Sequence, residues 1–460
     1  MFTPDPLLGF LILIVLPIIV KYFLKFSGIN FIIYLIISIS AIQGSLQLLF
    51  NIDPNYIKWL LEFLIWSLVI FIVIRNKNLK FPHLAWFLSF LIITLFSFYY
   101  NQKIVTMQLL LFLRKYLLIF AIIFIFENIY ISNKAAKNFI KLILLIFISQ
   151  VIVNIIRFPF TGQTEEYIGT LAVRGGSLTT IFSSVGISFV FAAYFITKQK
   201  KFIIVILGLF LFAIIGGKRA IIIFIPLVLF FIYYYYNKKF FKSDLSPFLK
   251  KITSLSIIII LLFYFGVRLN PTLNPENEIM GSFDINYISN YVDEYLNPGK
   301  KVQGALYYGR GEAPMAVYKL LSEKKGAANF LIGMGPGDII MSRYSSSGKL
   351  FNRVEDIIAF KYDIGYGART GLLFTGLQIG ILGVLFFFVF FIKIFNDVKK
   401  NFFSISSSNI LLIIINLGLI GMFIVFFADF LFYSRIMYDN ILIMVIMFLA
   451  KNLVINKVLV

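Results

Sequence analysis

Gly367-Ala368-Arg369-Thr370, followed at once by Gly371-Leu372-Leu373-Phe374-Thr375-Gly376-Leu377-Gln378-Ile379-Gly380-Ile381-Leu382-Gly383, is where this chain changes character. A long polar segment, Arg268 to Arg369, ends here and an apolar run begins. A helix turns about 100° per residue, so positions seven, eleven and fourteen beyond Arg369 return to nearly one face. Those positions are Gly376, Gly380 and Gly383. A helix starting near Arg369 therefore places a guanidinium at its mouth, above a stripe of glycines. One reading of the stripe is GxxxG-like spacing, which lets two membrane helices approach closely. The arginine calls for a separate explanation.

Working outward, the chain of 460 residues is 60% hydrophobic, with many apolar runs of helix-spanning length. That places it among polytopic α-helical membrane proteins. The runs are continuous and not alternating, which excludes an outer-membrane barrel. No cysteine is present, so disulfides, thiolate metal sites and a cysteine nucleophile are excluded. One histidine, His83, cannot build a His-rich metal centre. The first apolar run follows Met1-Phe2-Thr3-Pro4-Asp5-Pro6, which lacks the basic start of a cleavable signal.

Hydropathy predicts an all-α fold of about 12–13 transmembrane helices. The thirteen spans read are 7–25, 30–50, 57–75, 82–100, 105–127, 137–156, 179–197, 201–216, 219–237, 252–268, 370–392, 408–430 and 437–456. Residues 1–268 carry ten spans, 269–369 form a partly helical cap between the tenth and eleventh, and 370–460 carry the last three. The formal charge of +21 is mostly a topology signal, because alternate connections hold the lysines. Lys21/Lys25, Arg75/Lys77/Lys80, Lys198/Lys200/Lys201 and Lys393/Lys399/Lys400 are such clusters. The positive-inside rule makes them cytoplasmic and the cap extracytoplasmic. Nucleic acid is accordingly not expected as a partner. The cap segment is nearly neutral, with twelve basic and eleven acidic residues. Glu312 to Lys325 reads as an amphipathic helix stopped by Gly326, and Gly333-Met334-Gly335-Pro336-Gly337-Asp338 as a tight turn cluster.

Four outer arginines sit beside helix ends or glycine turns. Arg174 lies in Val173-Arg174-Gly175-Gly176, Arg219 in Gly216-Gly217-Lys218-Arg219-Ala220, Arg310 in Tyr307-Tyr308-Gly309-Arg310-Gly311-Glu312, and Arg369 opens the eleventh span. Arginine offers a planar fork suited to phosphate and stays charged. Glycines such as Gly217 permit close backbone approach, and Lys218 adds charge at a helix N-terminus, which favours anions. The set suits a pyrophosphate at the membrane surface. Snorkelling to headgroups, or pairing with cap acids, is the competing reading. Tyr287, Tyr291 and Tyr295 share a helical face, and Tyr307 and Tyr308 follow. They fit sugar stacking or an interfacial aromatic belt equally well. Arg114-Lys115 fall inside the fifth span and Glu62 near an end of the third, at the interface. Asp429, Arg435 and Asp439 read as a local ion-pair cluster, and His83, after Pro82, as structural.

These features together resemble the O-antigen polymerase and ligase superfamily, that is, Wzy-type polymerases and the related lipid A-core ligases. Ligases carry His, then Asn/Ser/Gln, nine residues, Gly, two residues and Gly/Thr/Tyr. Arg369-Thr370, nine residues, Gly380, two residues and Gly383 occupy that frame with arginine for histidine. Arg369 to Gly380 also fits the polymerases' Arg-x10-Gly pattern, while Arg174 to Gly186 misses it by one residue. Gly217-Lys218-Arg219-Ala220 is similar to a Ser-Arg-Gly-type element, and Arg310 with Gly333-Met334-Gly335-Pro336-Gly337 resembles the Arg…Gly-x-Gly-x-Gly cap element. The likeness covers residues 170 to 392.

The resemblance implies a GT-C-like glycosyltransferase of the bacterial cytoplasmic (inner) membrane. It would use undecaprenyl-pyrophosphate-linked oligosaccharide, with membrane lipid and a chain-length regulator protein as partners, and no metal or other cofactor. Catalysis would fall to Arg369, Arg310 and Arg219, and substrate binding to Arg174, Lys218, Gly217, Tyr307 and Tyr308. The missing histidine favours polymerase over ligase, with lipopolysaccharide O-antigen or capsule as product. A ligase-like transferase and a lipid-linked oligosaccharide flippase are the alternatives. Glu312, Asp338 and Asp363 are the outer carboxylates beside the motifs.

Overall fold

Short polar residues open the helices that hydropathy predicts. In a computed structural model, Asp53 accepts from the backbone N–H of Asn55 at 2.8 Å ahead of Pro54, and Ser132 accepts from Ala135 N–H at 3.3 Å. Thr370, Asn409 and Asn440 do the same for later helices, each at 3.2–3.3 Å. Such caps satisfy backbone donors that the helix itself leaves bare. The structure describes residues 6–24, 28–101, 106–162, 169–172, 176–241, 260–297, 300–302, 305–324, 326–339, 362, 364–435, 437 and 440–456.

The elements are α1 (Pro6–Leu24), α2 (Ile29–Phe50), α3 (Pro54–Arg75), α4 (Leu84–Tyr100), α5 (Thr106–Asn128), α6 (Asn133–Thr161), α7 (Gly176–Thr197), α8 (Lys201–Ile215) and α9 (Ile221–Phe240). Then come α10 (Ile260–Leu269) and the cap, with α11 (Ile285–Leu296), α12 (Ala313–Lys319) and α13 (Ala327–Ile332). Finally α14 (Gly371–Ser404), α15 (Ile410–Ala428) and α16 (Ile441–Ile455) return to the bundle. Each predicted span coincides with a helix, the tenth only over 260–269, since 242–259 lie outside the described residues. Among the described residues eight helices are long and apolar enough to cross a membrane, and four more are shorter and apolar. The protein is an all-α polytopic membrane protein.

The bundle is centred on α7, whose apolar window is 83% buried, against 33% for α3 and α6. It packs on α8, α9 and α15. Serine and threonine on α7 bond back to their own helix, as Ser184 Oγ does to Thr180 O and Ser188 Oγ to Ser184 O. That hides polar atoms from an apolar surrounding. Charges inside the bundle are matched. Arg114 Nε donates to Glu62 Oε2 at 2.5 Å between α5 and α3. Glu62 is 8% exposed, so it is a buried partner within the bundle.

The cap contains a small antiparallel hairpin, β1 (Lys300–Val302) with β2 (Ala305–Tyr307), that sequence reading did not anticipate. The predicted amphipathic helix over 312–325 is α12 continued by a π turn, Leu320–Lys324. Its apolar face, Ala313, Val317, Leu320 and Leu321, packs with Ile339, Ile364 and Ala368 onto Leu373, Phe374 and Leu377 of α14. The cap thus shares one core with the first turns of that helix.

The glycine stripe on α14 is not a helix-helix seam. At Ile379 (φ −127°, ψ 15°) and Gly380 (φ 68°, ψ −174°) the helix breaks. The backbone N–H groups of Met334 and Gly335 donate to the carbonyls of Leu377 (2.7 Å) and Gln378 (3.0 Å), and Gly337 N–H to Gln378 Oε1 (3.0 Å). A Cβ on Gly380 would lie 2.2 Å from Leu331 O, and one on Gly333 2.5 Å from Gly380 N. The predicted turn cluster 333–338 is therefore a loop docked into a broken helix, backbone against backbone. Gly376 and Gly383 would meet only side chains of α14 itself. Ser97 Oγ, which donates to Ile332 O at 2.5 Å, ties the loop to α4.

Candidate functional site

Three chain segments converge where the cap meets α14. Tyr308 N–H donates to Ile364 O at 3.1 Å, and Gly367 N–H returns to Tyr308 O at 3.0 Å. Gly367 fits because a Cβ there would fall 2.3 Å from Gly309 O. These bonds fasten Arg310 beside the 3₁₀ turn Gly365–Arg369, which carries Arg369. Gly371 N–H then donates to Ser434 O at 2.8 Å, and a Cβ on Gly371 would meet Phe430 at 2.4 Å. So the mouth of α14 abuts the π turn Asp429–Tyr433 that closes α15.

Tyr433 is the hub. The Arg310 guanidinium lies 4.7 Å from its ring centre, its hydroxyl is 3.0 Å from Thr180 Oγ1 on α7, and Phe224 of α9 meets it edge-on. A cation over an aromatic face is held by the ring quadrupole while its edges stay usable for anions. On α7 the preceding residue, Thr179, touches Gly216, where a Cβ would lie 2.9 Å from its methyl. That brings the α8–α9 turn to the same end of the bundle. The turn is a Schellman motif: Gly217 (φ 65°) donates to Ile214 O at 2.8 Å and Lys218 to Ala213 O at 3.0 Å. It presents buried Lys218 and half-buried Arg219, whose guanidinium stacks 4.8 Å from the ring of Tyr291 on α11.

Two further cations belong here that sequence reading set aside. Arg435 lies 4.0 Å and Lys115 of α5 lies 4.9 Å from the ring centre of Phe374, in the first turn of α14. Lys115 had shown itself as a charge inside a span. Arg435 was read as half of a local ion pair, and nothing in the sequence points it at Phe374. Asp429 is fully buried and accepts from the Ser434 hydroxyl and from Met437 N–H at 2.9 Å. Asp439 lies outside the described residues.

Of the predicted set, the structure brings Arg310 and Arg369 together and sets Gly217, Lys218 and Arg219 at the same end. Tyr308 packs into the cap core. Tyr307 is in β2, where its side chain lies outside the described residues, as does Arg174 entirely. The chain before the loop that holds Arg174 is pinned: the Thr170 hydroxyl donates to Ala41 O at 2.6 Å and its backbone N–H donates to Gln150 Oε1 at 2.7 Å. Glu312 Oε2 takes Gly309 N–H at 3.4 Å, and Asp338 takes the Tyr362 hydroxyl. Asp363 is outside the described residues.

What this arrangement can do follows from its charge. Cations from α5, the α8–α9 turn, the cap and the α15–α16 connection stand at one end of the bundle, and Lys115, Arg219, Arg310 and Arg435 each lie over an aromatic ring. Guanidinium and ammonium groups are the side chains whose chemistry suits an anion with several oxygens. Comparison with known protein families, curated proteins and solved structures finds no match.

Proposed function

We propose that the chain polymerises a surface polysaccharide, O-antigen or capsule, at the outer leaflet of the bacterial inner membrane. It transfers the growing glycan from undecaprenyl pyrophosphate onto the next lipid-linked repeat unit. The observation that supports the reading is that backbone bonds between Tyr308 and both Ile364 and Gly367 bring the segment carrying Arg310, whose guanidinium lies on Tyr433, against the turn carrying Arg369 at the mouth of α14.

In the step, the bond between the donor sugar's anomeric carbon and the pyrophosphate oxygen breaks. A bond from that carbon to an acceptor hydroxyl oxygen forms, and the hydroxyl proton leaves to water or the departing pyrophosphate. Arg310 and Arg219 meet the charge that develops on the leaving group, Arg369 stands at the reacting centre, and Arg174 and Lys218 hold substrate. Fixed cations in a water-poor site favour the transition state without having to reorganise.

The flippase alternative draws on the break in α14, since transporters use broken helices. Here the carbonyls freed by the break are taken up by the cap loop, which favours an architectural role. Purified protein in liposomes with lipid-linked repeat units separates the readings. Polymer formation supports the proposal, transfer to a different acceptor supports a ligase, and repeat units moved but chemically unchanged would falsify both.

A further inference from the structure

At the end of the bundle away from the cap, a cavity of about 440 Å³ opens between the start of α4 and the last turns of α5, α14 and α16. Its wall holds a charge cluster with no part in the site above. His83 Nε2 lies 2.9 Å and Lys451 Nζ 3.1 Å from the same oxygen of Glu127. That carboxylate is already met by two donors, so its charge is spent inside the wall. His83, Lys451 and Asn452 are each no more than 6% exposed. Around the opening stand exposed Lys80 and Lys400 with half-buried Asp397. Three lysines against two carboxylates leave one positive charge, His83 taken as neutral.

Two buried acceptors on this wall have no hydrogen-bond partner. With Nε2 turned to Glu127, the other ring nitrogen of His83, Nδ1, is unmet. Asn452 spends its amide N–H groups on the carbonyls of Phe126 and Ile129, leaving Oδ1 unmet. A buried polar atom without a partner is costly; neither atom is open to the empty cavity, so a ligand donor recovers the loss by turning the His83 ring or the Asn452 amide toward it. Lysines ask for phosphate; two bare acceptors ask for hydroxyls. Phe448 and Ile455 make the rest of the lining apolar.

We propose that this cavity binds a hydroxyl-bearing phosphate ester, the phosphate between Lys80, Lys400 and Lys451 and the hydroxyls on His83 Nδ1 and Asn452 Oδ1. Phosphoglycerol has this chemistry, whether as a lipid headgroup or as a soluble ester. The proposal stands apart from the glycan reading, since none of its residues lies at the cap.

The test is native mass spectrometry of the full chain in detergent, titrated with phosphatidylglycerol, with phosphatidylcholine, and with soluble glycerol 3-phosphate. One saturable phosphatidylglycerol site, about fivefold weaker in Lys80→Ala and again in Lys400→Ala, is the expected result. Both lysines are exposed, so the variants keep the fold. If glycerol 3-phosphate displaces the lipid at comparable concentration, the site serves a soluble ester; if it does not, a lipid headgroup. Phosphatidylglycerol binding no tighter than phosphatidylcholine, or unchanged in both lysine variants, overturns the proposal.

Discussion

Arg310 and Arg369 carry the catalytic reading, and each is held by its neighbours more than by its own side chain. Arg310→Ala or Arg369→Ala should cut polymer formation by about 100- to 1000-fold, the usual cost of one preorganised charge-stabilising group. Membrane levels on immunoblots should not change, and full-length polymer from both variants would end the assignment. Arg369→Lys should also fail, because an ammonium lacks the fork. Away from the site, Glu276 shows a pH dependence of its own. Hydrogen bonds from the Ser282 hydroxyl and N–H hold its carboxyl below the usual range. Its folded pKa is depressed, so the order it lends the 274–282 turn is present above the unfolded pKa and lost as pH falls through the folded one. Protection factors against hydrogen exchange in that turn should fall with acid in the native chain, and less in Ser282→Ala, which keeps only the N–H donor.

At the scale of elements, the break in α14 makes the sharpest claim. Gly380 occupies a backbone region that only glycine adopts freely, and its Cα faces Leu331 O. Gly380→Ala should destabilise by about 1–3 kcal/mol and open the cap to protease, whereas Gly376→Ala, whose Cβ would meet only Val384 at 3.5 Å, should be silent in both assays. Equal damage from the two would restore the helix-seam reading. The α3–α5 pair gives another test. Removing Arg114 or Glu62 alone should cost about 3 kcal/mol by leaving a lone charge, and replacing both with leucine much less. Thermal unfolding in detergent would measure the difference.

For the whole molecule, hydropathy alone located the bundle, because each span must satisfy its backbone internally and so appears as a continuous apolar run. The same logic is silent on how the 333–338 loop docks, since that depends on backbone groups and not on side-chain patterning. Hence Gly333 to Gly337 reads as a tight turn cluster, which it is, while its docking into the break of α14 leaves no sign in the sequence. Arg310, Arg369 and Arg219 were legible as charges beside glycines at helix mouths; Lys115 and Arg435 were not, their shared partner Phe374 being an ordinary apolar residue until the fold is known. Orientation remains to be measured, and a chain without native cysteine suits it. Glu323→Cys in the cap should react with an impermeant maleimide on intact cells, and Lys77→Cys only after permeabilisation; the reverse pattern would invert the topology. One last consequence comes from Met334 and Gly335. Peeling the cap away would strip the buried Leu377 and Gln378 carbonyls of their partners, a heavy penalty, so the roof is bolted down. On the proposed function, a lipid-borne substrate would then slip in sideways between helices, through the bilayer, and the growing polymer would leave by a different door.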